Sequence, residues 1–415
     1  PISSQTEQDT RHFGRYARLP VLDPSSPEEA YAMVFAAFEL SEAYRTPVIL
    51  RPTTRVCHAC ASVEVGETPP PAPIEGFQKG REWVIFPRLS YENKKRLVAR
   101  EPVLAEALSA SPFNAVEGEG TLGVVCGGIS YAYVKEALSI LGASCRLLKI
   151  NTPYPFPEPL AKRFLEGLER VLVVEELDPV LEDALRLLAA ERIPIQGKRD
   201  GTLPGAGEYT VALVTAALRT FLNVYQETEA EIELPSLPVR PPVLCAGCPH
   251  RASFYAVKRA MRGKKAVFCG DIGCYTLGNA APLDMVDTCL CMGAGITIAQ
   301  GLQHVEPDAV HFAFVGDSTF FHTGIPGVIN AVYNGADMVL AVLDNATTAM
   351  TGHQPHPGMG RLASGSPAEK ISIVKILEAI GVSSLRRVNP FDLDQAMEAV
   401  KAAANEKGVR ALVFE

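Results

Sequence analysis

The sequence lacks an excess of basic residues, since its 39 Lys and Arg are outnumbered by 47 Asp and Glu, giving a net charge of −8. Nucleic-acid-binding proteins usually carry a basic surface that neutralises phosphates, so this balance argues against a nucleic-acid partner. The sequence also lacks any apolar run of the 18 or so residues that a membrane-spanning helix needs, and no secretory signal precedes the first predicted elements. We therefore expect a cytoplasmic protein without a membrane or nucleic-acid partner.

Cysteine is present at too low a density for a protein held together by disulfides, because ten cysteines are scattered over 415 residues. In a large α/β chain such cysteines are more often reduced thiols or metal ligands. The composition, 47% hydrophobic and 21% charged, is that of a folded globular protein. The length predicts two or three domains.

The clearest local pattern lies between Val310 and Gly352. An apolar run of strand length is followed by a turn, by apolar residues at helical spacing, and by a second apolar run, Met338 to Leu343. Strand, helix and strand in this order predict a right-handed parallel crossover. Asp317 and Asn345 then follow the carboxyl ends of two parallel strands, which is the edge where open α/β sheets bind ligands.

The residues at this edge offer the oxygen ligands that Mg²⁺ prefers. Asp317 provides a carboxylate, Asn345 an amide oxygen, and Thr347 a backbone carbonyl, while Gly316 allows the backbone to approach a ligand closely. Gly-Asp-Ser, followed after 25 residues by Asp-Asn, resembles the signature of thiamin diphosphate-binding proteins. The alternative is a βαβ unit whose loops merely carry polar residues.

Earlier parts of the chain have weaker patterns. The polar segment before Pro24 is predicted to be a loop, and a helix capped by Ser26 is predicted from Pro27 to about Tyr44. Prolines 69–71 exclude a helix or a central strand, so a linker with a short helix is expected there. Further α/β patterns begin at Thr121 and after residue 244.

Four motifs taken together carry a family resemblance: CAGCPHR from Cys245, GDIGCYTLG from Gly270, TCLCMGAG from Thr288, and GDS…DNATTAMTGHQ from Gly316. This combination resembles the thiamin diphosphate-binding subunit of 2-oxo acid:ferredoxin oxidoreductases, and within them the α subunit of indolepyruvate ferredoxin oxidoreductase. The resemblance implies an α/β fold made of several doubly wound parallel-sheet modules of the thiamin diphosphate-binding type. It covers essentially the whole chain, in matching order.

The resemblance also implies a domain order. Residues 1–60 would be the C-terminal part of a pyrimidine-binding domain, 61–115 a linker, 116–230 a domain like the C-terminal domain of transketolase, and 241–415 the domain that binds the diphosphate and Mg²⁺. The glutamate that activates the cofactor is expected upstream of Pro1, and ferredoxin-like cysteine clusters are expected after Glu415. We therefore assign no catalytic residue within the chain.

The site residues that the resemblance implies fall in the last of these domains. Asp317, Asn345 and the Thr347 carbonyl would hold Mg²⁺, and Ser318 and Thr319 would donate to phosphate oxygens. Met350 occupies a position where relatives contact substrate, and a pliable apolar side chain there suits a bulky aromatic substrate, although it could equally belong to the core. The remaining cofactor-binding candidates are His250, for which the alternative is a satisfied surface histidine, and Asp271, Gly273, Cys274, Tyr275, Gly293, Ala294, Gly316 and Thr351.

A [4Fe–4S] cluster is a further possibility that the resemblance raises for Cys245, Cys248 and Cys274. Such a cluster needs four thiolates, and no cysteine follows Cys291. Cys269, Cys289 or Cys291 would have to provide the fourth. The alternative is that these cysteines are buried thiols that pack the pocket.

The implied reaction is oxidative decarboxylation of an aryl 2-oxo acid to an acyl-CoA, with ferredoxin as electron acceptor. The implied partners are a smaller β subunit, in an α2β2 assembly, together with ferredoxin, coenzyme A and the 2-oxo acid. Three alternatives stay open: an oxidoreductase for pyruvate or branched-chain 2-oxo acids, a non-oxidative 2-oxo acid decarboxylase, and a non-catalytic scaffold subunit that keeps the fold.

Overall fold

The computed structural model describes residues 7–67, 73, 76–80, 83–224, 237–238 and 240–415. The chain divides into two compact units, Pro1–Glu233 and Leu234–Glu415. The predicted proline segment 69–71 lies outside the described residues. No helix in the described ranges is both long and apolar enough to cross a membrane.

The first unit contains a mixed sheet and a separate strand pair. In its described part, five strands follow the order β3-β5-β4-β6-β7, with β3 antiparallel and the others parallel. Strands β1 and β2 form a short parallel pair of their own. The elements are α1 (Arg11–Ala17), β1 (Val21–Leu22), α2 (Pro27–Tyr44), β2 (Ile49–Leu50), α3 (Thr54–His58), α4 (Pro87–Ser109), β3 (Asn114–Glu117), β4 (Leu122–Cys126), α5 (Ile129–Leu141), β5 (Arg146–Ile150), α6 (Glu158–Leu165), β6 (Arg170–Val174), α7 (Val180–Ala189), β7 (Ile195–Gln196) and α8 (Val211–Leu222).

Two predictions for the first unit are wrong in extent. The polar segment near the start contains helix α1, which tertiary contacts stabilise: the buried Arg11 pairs with Asp9 at 2.5 Å and with Glu175 at 2.7 Å. The short helix expected before residue 115 is the 23-residue α4. Its sequence is rich in Leu, Ala, Glu, Lys and Arg, which are strong helix formers, and Leu104 and Leu108 near its end are buried.

The second unit is a doubly wound parallel sheet. Its order in the described part is β11-β12-β10-β9-β8, and every pairing is parallel. Nearly every residue of β9, β10 and β12 is buried, as continuous apolar runs predict for strands covered on both faces. The elements are α9 (Pro249–Ala260), β8 (Ala266–Cys269), α10 (Ala294–Val305), β9 (Val310–Gly316), α11 (Asp317–Thr319), α12 (Ile325–Tyr333), β10 (Met338–Leu343), α13 (Ile373–Ile380), β11 (Ser384–Val388), α14 (Leu393–Asn405) and β12 (Val409–Phe414).

The core of this unit has a layer on each face of the sheet. Phe254, Phe312 and Phe314 belong to the layer under α9 and α14. Val315 and Leu377 belong to the layer under α10, α12 and α13. Because both faces are covered, a polar ligand can reach the sheet only at a strand end.

Candidate cofactor site

Polar residues gather where β8, β9 and β10 end. The register pairs Leu343 of β10 with Gly316 of β9, so the next residues, Asp344 and Asp317, leave neighbouring strands at the same level. Gly270 and Asp271 follow β8 at the same edge. The predicted parallel crossover between β9 and β10 is present, and it brings these carboxylates to one end of the sheet.

Asp317 is buried, with 2% of its surface exposed, and three donors surround its carboxylate. Oδ1 accepts a hydrogen bond from the Ser318 N–H at 2.8 Å, and Oδ2 accepts one from the Thr347 N–H at 3.2 Å. His356 Nε2 lies 3.1 Å from Oδ2. Burial raises the pKa of Asp317, but the hydrogen bond and charge of His356 outweigh it, so the pKa is lower than usual. Asp317 is therefore held as a carboxylate.

His356 is a site residue that the sequence reasoning missed. Its Nδ1 accepts a hydrogen bond from the Gly358 N–H at 3.2 Å, so the ring proton is on Nε2 and is donated to Asp317. The ring also stacks on Phe321 with centroids 5.7 Å apart. His356 lies 39 residues beyond Asp317 in an irregular loop, and no spacing rule connects the two.

Asp344 is a second residue to which no role was assigned. Its pKa is raised to about 6 because the side chain is partly buried and the Asp317 carboxylate is close. Asp344 also accepts a hydrogen bond from the Ala346 N–H at 2.9 Å. The Asp317 carboxylate opposes the ionisation of Asp344, so a cation beside the two side chains would stabilise the pair.

The predicted oxygen ligands Asn345 and Thr347 lie in the loop that follows Asp344. Both are partly buried. Thr347 contacts Asp317 through its N–H, and its buried hydroxyl has no hydrogen-bond partner within the described ranges. Nearby, the Thr348 hydroxyl donates to Ser318 Oγ at 2.8 Å. An unpartnered buried hydroxyl beside two carboxylates fits the oxygen-rich coordination that Mg²⁺ requires.

A second polar network joins β8 to β9 through Tyr275. The Tyr275 hydroxyl donates to Asp271 Oδ2 at 2.9 Å and lies 3.1 Å from Thr319 Oγ1. The Gly293 N–H donates to Asp271 Oδ1 at 2.7 Å. Burial raises the pKa of Asp271, and these hydrogen bonds oppose that rise. The structure thus brings together four predicted site residues from three separate motifs.

His250 is buried, with 3% of its surface exposed, so the alternative of a surface histidine is wrong. Its ring stands perpendicular to the Tyr275 ring, with centroids 5.8 Å apart. Burial lowers the pKa of His250, and the negative charge of Asp317 opposes that effect. His250 therefore belongs to the same end of the sheet.

Glycine is required where this polar cluster packs most tightly. A Cβ atom on Gly273 would lie 2.4 Å from the Tyr275 ring, and one on Gly316 would lie 2.5 Å from the same ring. Gly293 has a φ of +85°, and its Cβ would lie 2.7 Å from Thr323 Oγ1, a buried hydroxyl without a partner in the described part of the chain. Ala294 begins α10 directly after Gly293.

Two predicted residues lie outside this buried cluster. Met350 and Thr351 are exposed on a single helical turn, and Met350 has 47% of its surface accessible. The Thr351 hydroxyl donates to Gln354 Oε1 at 2.7 Å. Met350 is therefore not part of the core, which removes the alternative left open for it.

The cysteines are less buried than a packing role requires. Cys245, Cys289 and Cys291 are exposed, and Cys248 and Cys274 are intermediate. For these five cysteines, the exposure contradicts the alternative of buried thiols. Cys269 is the exception, because it is buried, and burial raises the pKa of its thiol to about 11.

Three of the cysteines are close enough to interact electrostatically. Burial raises the pKa of the Cys274 thiol, and the charges of Cys248 and Cys245 add to the rise. The Cys289 thiol donates instead to the Asp271 carbonyl oxygen at 3.6 Å.

Comparison with known proteins places this geometry in a family. Residues 271–414 match the family described as thiamine pyrophosphate enzyme, C-terminal TPP binding domain. The chain is 42% identical to the indolepyruvate oxidoreductase subunit IorA of Methanothermobacter marburgensis, over 99% of this chain and 68% of that protein. It is 40% identical to the subunit of the same name from Archaeoglobus fulgidus, over 99% of this chain and 67% of that protein.

The chain belongs to the indolepyruvate oxidoreductase subunit IorA family. The family and the α/β fold predicted from the motifs are thereby confirmed. The chain is a subunit of a thiamin diphosphate-dependent oxidoreductase of 2-oxo acids.

More distant likenesses add little to this assignment. A 2-oxoglutarate synthase subunit KorA of Archaeoglobus fulgidus is 26% identical over 41% of this chain and 54% of its own length. A solved 2-oxoglutarate:ferredoxin oxidoreductase from Magnetococcus marinus is 20% identical, with a TM-score of 0.36 over 44% of this chain and 65% of that one. That score is too low to guide the placement of any residue.

Proposed function

We propose that this IorA-family chain carries out oxidative decarboxylation of aryl 2-oxo acids, indolepyruvate among them, to acyl-CoA, with ferredoxin as electron acceptor. One observation carries the proposal. This chain, which is 42% identical to an indolepyruvate oxidoreductase subunit, buries two hydrogen bonds, Asp317–His356 and Asp271–Tyr275, at one end of its thiamin diphosphate-binding sheet. For each 2-oxo acid, one CO₂ and two electrons are released, and the acyl group passes to the thiol of coenzyme A.

The residues proposed to hold Mg²⁺ are Asp317, Asn345 and the Thr347 carbonyl. The low pKa of Asp317 keeps a negative charge available for the ion. The neighbouring Asp344, whose pKa is raised to about 6, would lose an unfavourable interaction once a cation neutralised Asp317. Ser318 and Thr319 begin the helical turn after β9 and are proposed to contact phosphate oxygens.

The residues proposed to line the rest of the cofactor pocket are those around Tyr275. Bound thiamin diphosphate supplies the nucleophilic carbon that attacks the 2-oxo group. The protein's part is to position the cofactor and to keep water away. Buried side chains already fixed by hydrogen bonds can do both without rearranging, because Asp271, Tyr275 and Thr319 form one connected network.

The preference for aryl substrates is proposed from Met350 and from the names of the relatives. An exposed, pliable thioether can adapt to a flat aromatic ring. The test is a comparison of kcat/KM for indolepyruvate and phenylpyruvate with that for pyruvate and a branched-chain 2-oxo acid. We expect the aryl acids to be preferred at least tenfold, and a higher kcat/KM for pyruvate would overturn the proposal.

The electron acceptor distinguishes this function from a simple decarboxylase. We expect turnover to require ferredoxin or a dye acceptor and to yield acyl-CoA. Formation of the aldehyde without an acceptor would identify a non-oxidative decarboxylase instead. A scaffold subunit would be identified by two results together. The Asp317→Ala variant would still bind thiamin diphosphate, and the wild type would turn over no 2-oxo acid.

Cys245, Cys248 and Cys274 are proposed to hold an iron–sulfur cluster together with a fourth thiolate. The charges of Cys248 and Cys245 add to the rise in the pKa of Cys274, and none of the three thiols is buried, which supports this proposal. Iron and sulfide analysis of the purified chain tests it. We expect Cys248→Ser to lose the iron that the wild type carries, and a wild-type chain without iron would refute the proposal.

The proposed assembly is α2β2, in which a smaller β subunit completes the enzyme. The relatives' designation as a subunit supports a partner chain. The domain order implied by the resemblance remains part of the proposal, with residues 1–60 contributing to the pyrimidine-binding side and 241–415 to the diphosphate-binding side. Co-purification with the β subunit and light scattering of the complex test the stoichiometry.

A further inference from the structure

The segment from Cys245 to Gly270 has an unusual charge distribution. It contains six Lys and Arg and no Asp or Glu, although the whole chain has a net charge of −8. Two of the lysines have acidic neighbours: Lys258 lies 3.4 Å from Asp284, and Lys265 lies 3.5 Å from Glu306. Among the described residues, the four arginines and lysines that remain form no ion pair, so this segment of the chain has an excess of positive charge. Two exposed carboxylates, Asp392 and Asp394, lie next to the groove residues Phe391 and Leu393 in the sequence and offset part of it.

Helix α9 presents part of this charge on one exposed face. Tyr255, Arg259 and Arg262 are spaced i, i+4 and i+7, which places them on one side of the helix and just beyond its end. Arg259 donates to the Tyr255 hydroxyl at 3.1 Å and covers the tyrosine ring at 5.7 Å. Phe254 and Val257 on the opposite side are fully buried in the core. The exposed face is therefore not needed to pack α9.

An apolar groove with a volume of about 390 Å³ lies beside this face. Phe391, Val243 and Tyr255 are well exposed in it, with 62%, 57% and 42% of their surfaces accessible. An exposed aromatic patch bordered by arginines has the composition of a protein–protein interface, with an apolar centre and a charged rim. The residues that line the groove are Val243, Leu244, Arg251, Ala252, Tyr255, Leu277, Ala280, Ala281, Pro282, Leu283, Phe391 and Leu393.

The groove adjoins the loop that carries Cys245 and Cys248. Leu244 lines the groove and directly precedes Cys245. Arg251, also in the lining, donates through Nε to the carbonyl oxygens of Leu244 and Cys245 at 3.0 and 2.9 Å. A partner seated in the groove would thus lie next to the thiols proposed to hold the cluster.

We propose that this surface, formed by Val243, Tyr255, Arg259, Arg262 and Phe391, docks a separate, acidic, one-electron carrier protein. The inference rests on the proposed function, since an electron acceptor must approach the enzyme somewhere. Positive charge on the rim attracts an acidic protein and speeds its association. The apolar centre then holds the partner beside the Cys245 loop.

The test uses the complete enzyme with its β subunit and a small acidic ferredoxin. Arg259→Glu/Arg262→Glu reverses the rim charge without touching the cysteines. The matched control is Lys94→Glu/Lys375→Glu, which makes the same charge change at two exposed positions. Lys94 is in α4 of the first unit, and Lys375 is in α13, which packs on the face of the second unit's sheet opposite to α9. We measure the KM for ferredoxin, the Kd for ferredoxin by calorimetry, and turnover with a small viologen dye.

We expect the double reversal to raise both the KM and the Kd for ferredoxin at least tenfold at low ionic strength. The difference should shrink as salt is added, because exposed charges are screened. Turnover with the dye and the behaviour of the control should stay within twofold of the wild type. Phe391→Ala should weaken ferredoxin binding without changing its salt dependence, because it removes apolar contact only.

Several results would overturn the docking surface. An unchanged Kd for ferredoxin in both variants would exclude it. A lower kcat with an unchanged KM would indicate a tethered electron carrier, and a raised KM for coenzyme A alone would indicate a nucleotide site. If the wild type reduces neither ferredoxin nor dye, the proposed function fails, and the Kd measurement still decides whether ferredoxin docks here.

Discussion

Replacing His356 with leucine removes the side chain that donates a hydrogen bond to Asp317 from the loop after β10. In the native structure His356 Nε2 lies 3.1 Å from Asp317 Oδ2, and the Gly358 N–H fixes the ring tautomer from the other side. Both His356 and Asp317 are buried. The leucine variant therefore leaves the carboxylate with fewer donors and more freedom to rotate. We expect it to bind Mg²⁺ more weakly.

The magnitude follows from the loss of a hydrogen bond to a charged group, which costs about 1.5–3 kcal/mol. Residues that hydrogen-bond a metal-ligating carboxylate typically change metal affinity by about 10- to 100-fold, and the two ranges agree. The remaining donors, the N–H groups of Ser318 and Thr347, are backbone groups that the substitution leaves in place. Binding should therefore be weakened rather than abolished.

The assay is calorimetric titration of Mg²⁺ at saturating thiamin diphosphate. The single tryptophan of the chain, Trp83, lies in the first unit, so tryptophan fluorescence would not report directly on this site. His356→Gln keeps an N–H donor and should recover most of the affinity. His353→Asn is the control, because His353 is an exposed residue in the same loop with a φ of +62°, which asparagine tolerates.

The reasoning would be refuted if His356→Leu kept the wild-type affinity for Mg²⁺ while its melting temperature fell. That result would limit His356 to packing against Phe321. Equal affinities in the leucine and glutamine variants would likewise show that the donor has no effect on the ion.

Three further predictions concern other parts of the structure. Gly316→Ala should cost about 1–3 kcal/mol of stability and weaken cofactor binding, because the new Cβ would lie 2.5 Å from the Tyr275 ring; the control Gly301→Ala, with open space around its Cβ, should stabilise α10 by up to about 1 kcal/mol in thermal unfolding. Tyr275→Phe should keep the fold but lower thiamin diphosphate affinity in calorimetry, since it removes the hydroxyl that joins two strand ends; unchanged affinity would show that the network serves stability alone. Arg11→Met should destabilise the first unit by about 3–5 kcal/mol at neutral pH, because it leaves the buried Glu175 without its ion-pair partner. Burial already raises the pKa of Glu175, and Arg11 opposes the rise. A carboxyl group whose pKa is raised in the folded state destabilises the fold at high pH, and protonation relieves this as the pH falls. The loss in free energy of unfolding relative to the wild type, measured in urea, should therefore shrink between pH 7 and pH 5, and a loss that stays constant would contradict this account.

The predictions from sequence were most accurate where the local pattern was strong. The apolar runs of β9 and β10 and the helical spacing between them predicted the parallel crossover, and a crossover of this kind places Asp317 and the loop after β10 at one end of the sheet. The glycines at 273, 293 and 316 lie where packing leaves no room for a side chain, so the motifs that contain them were informative. The polar residues around α1 gave no such signal, because that helix depends on an ion pair with Glu175, 164 positions away.

The sequence by itself determined the family, the α/β class and the set of motifs that meet at the strand ends, because those depend on local pattern and on residue identity. Only the tertiary structure decided which side chains contact one another there. Irregular loops brought His356 to Asp317 and left Met350 exposed. Burial, together with the nearby Asp317 carboxylate, raised the pKa of Asp344. Such contacts join residues far apart in the chain, and no local periodicity encodes them.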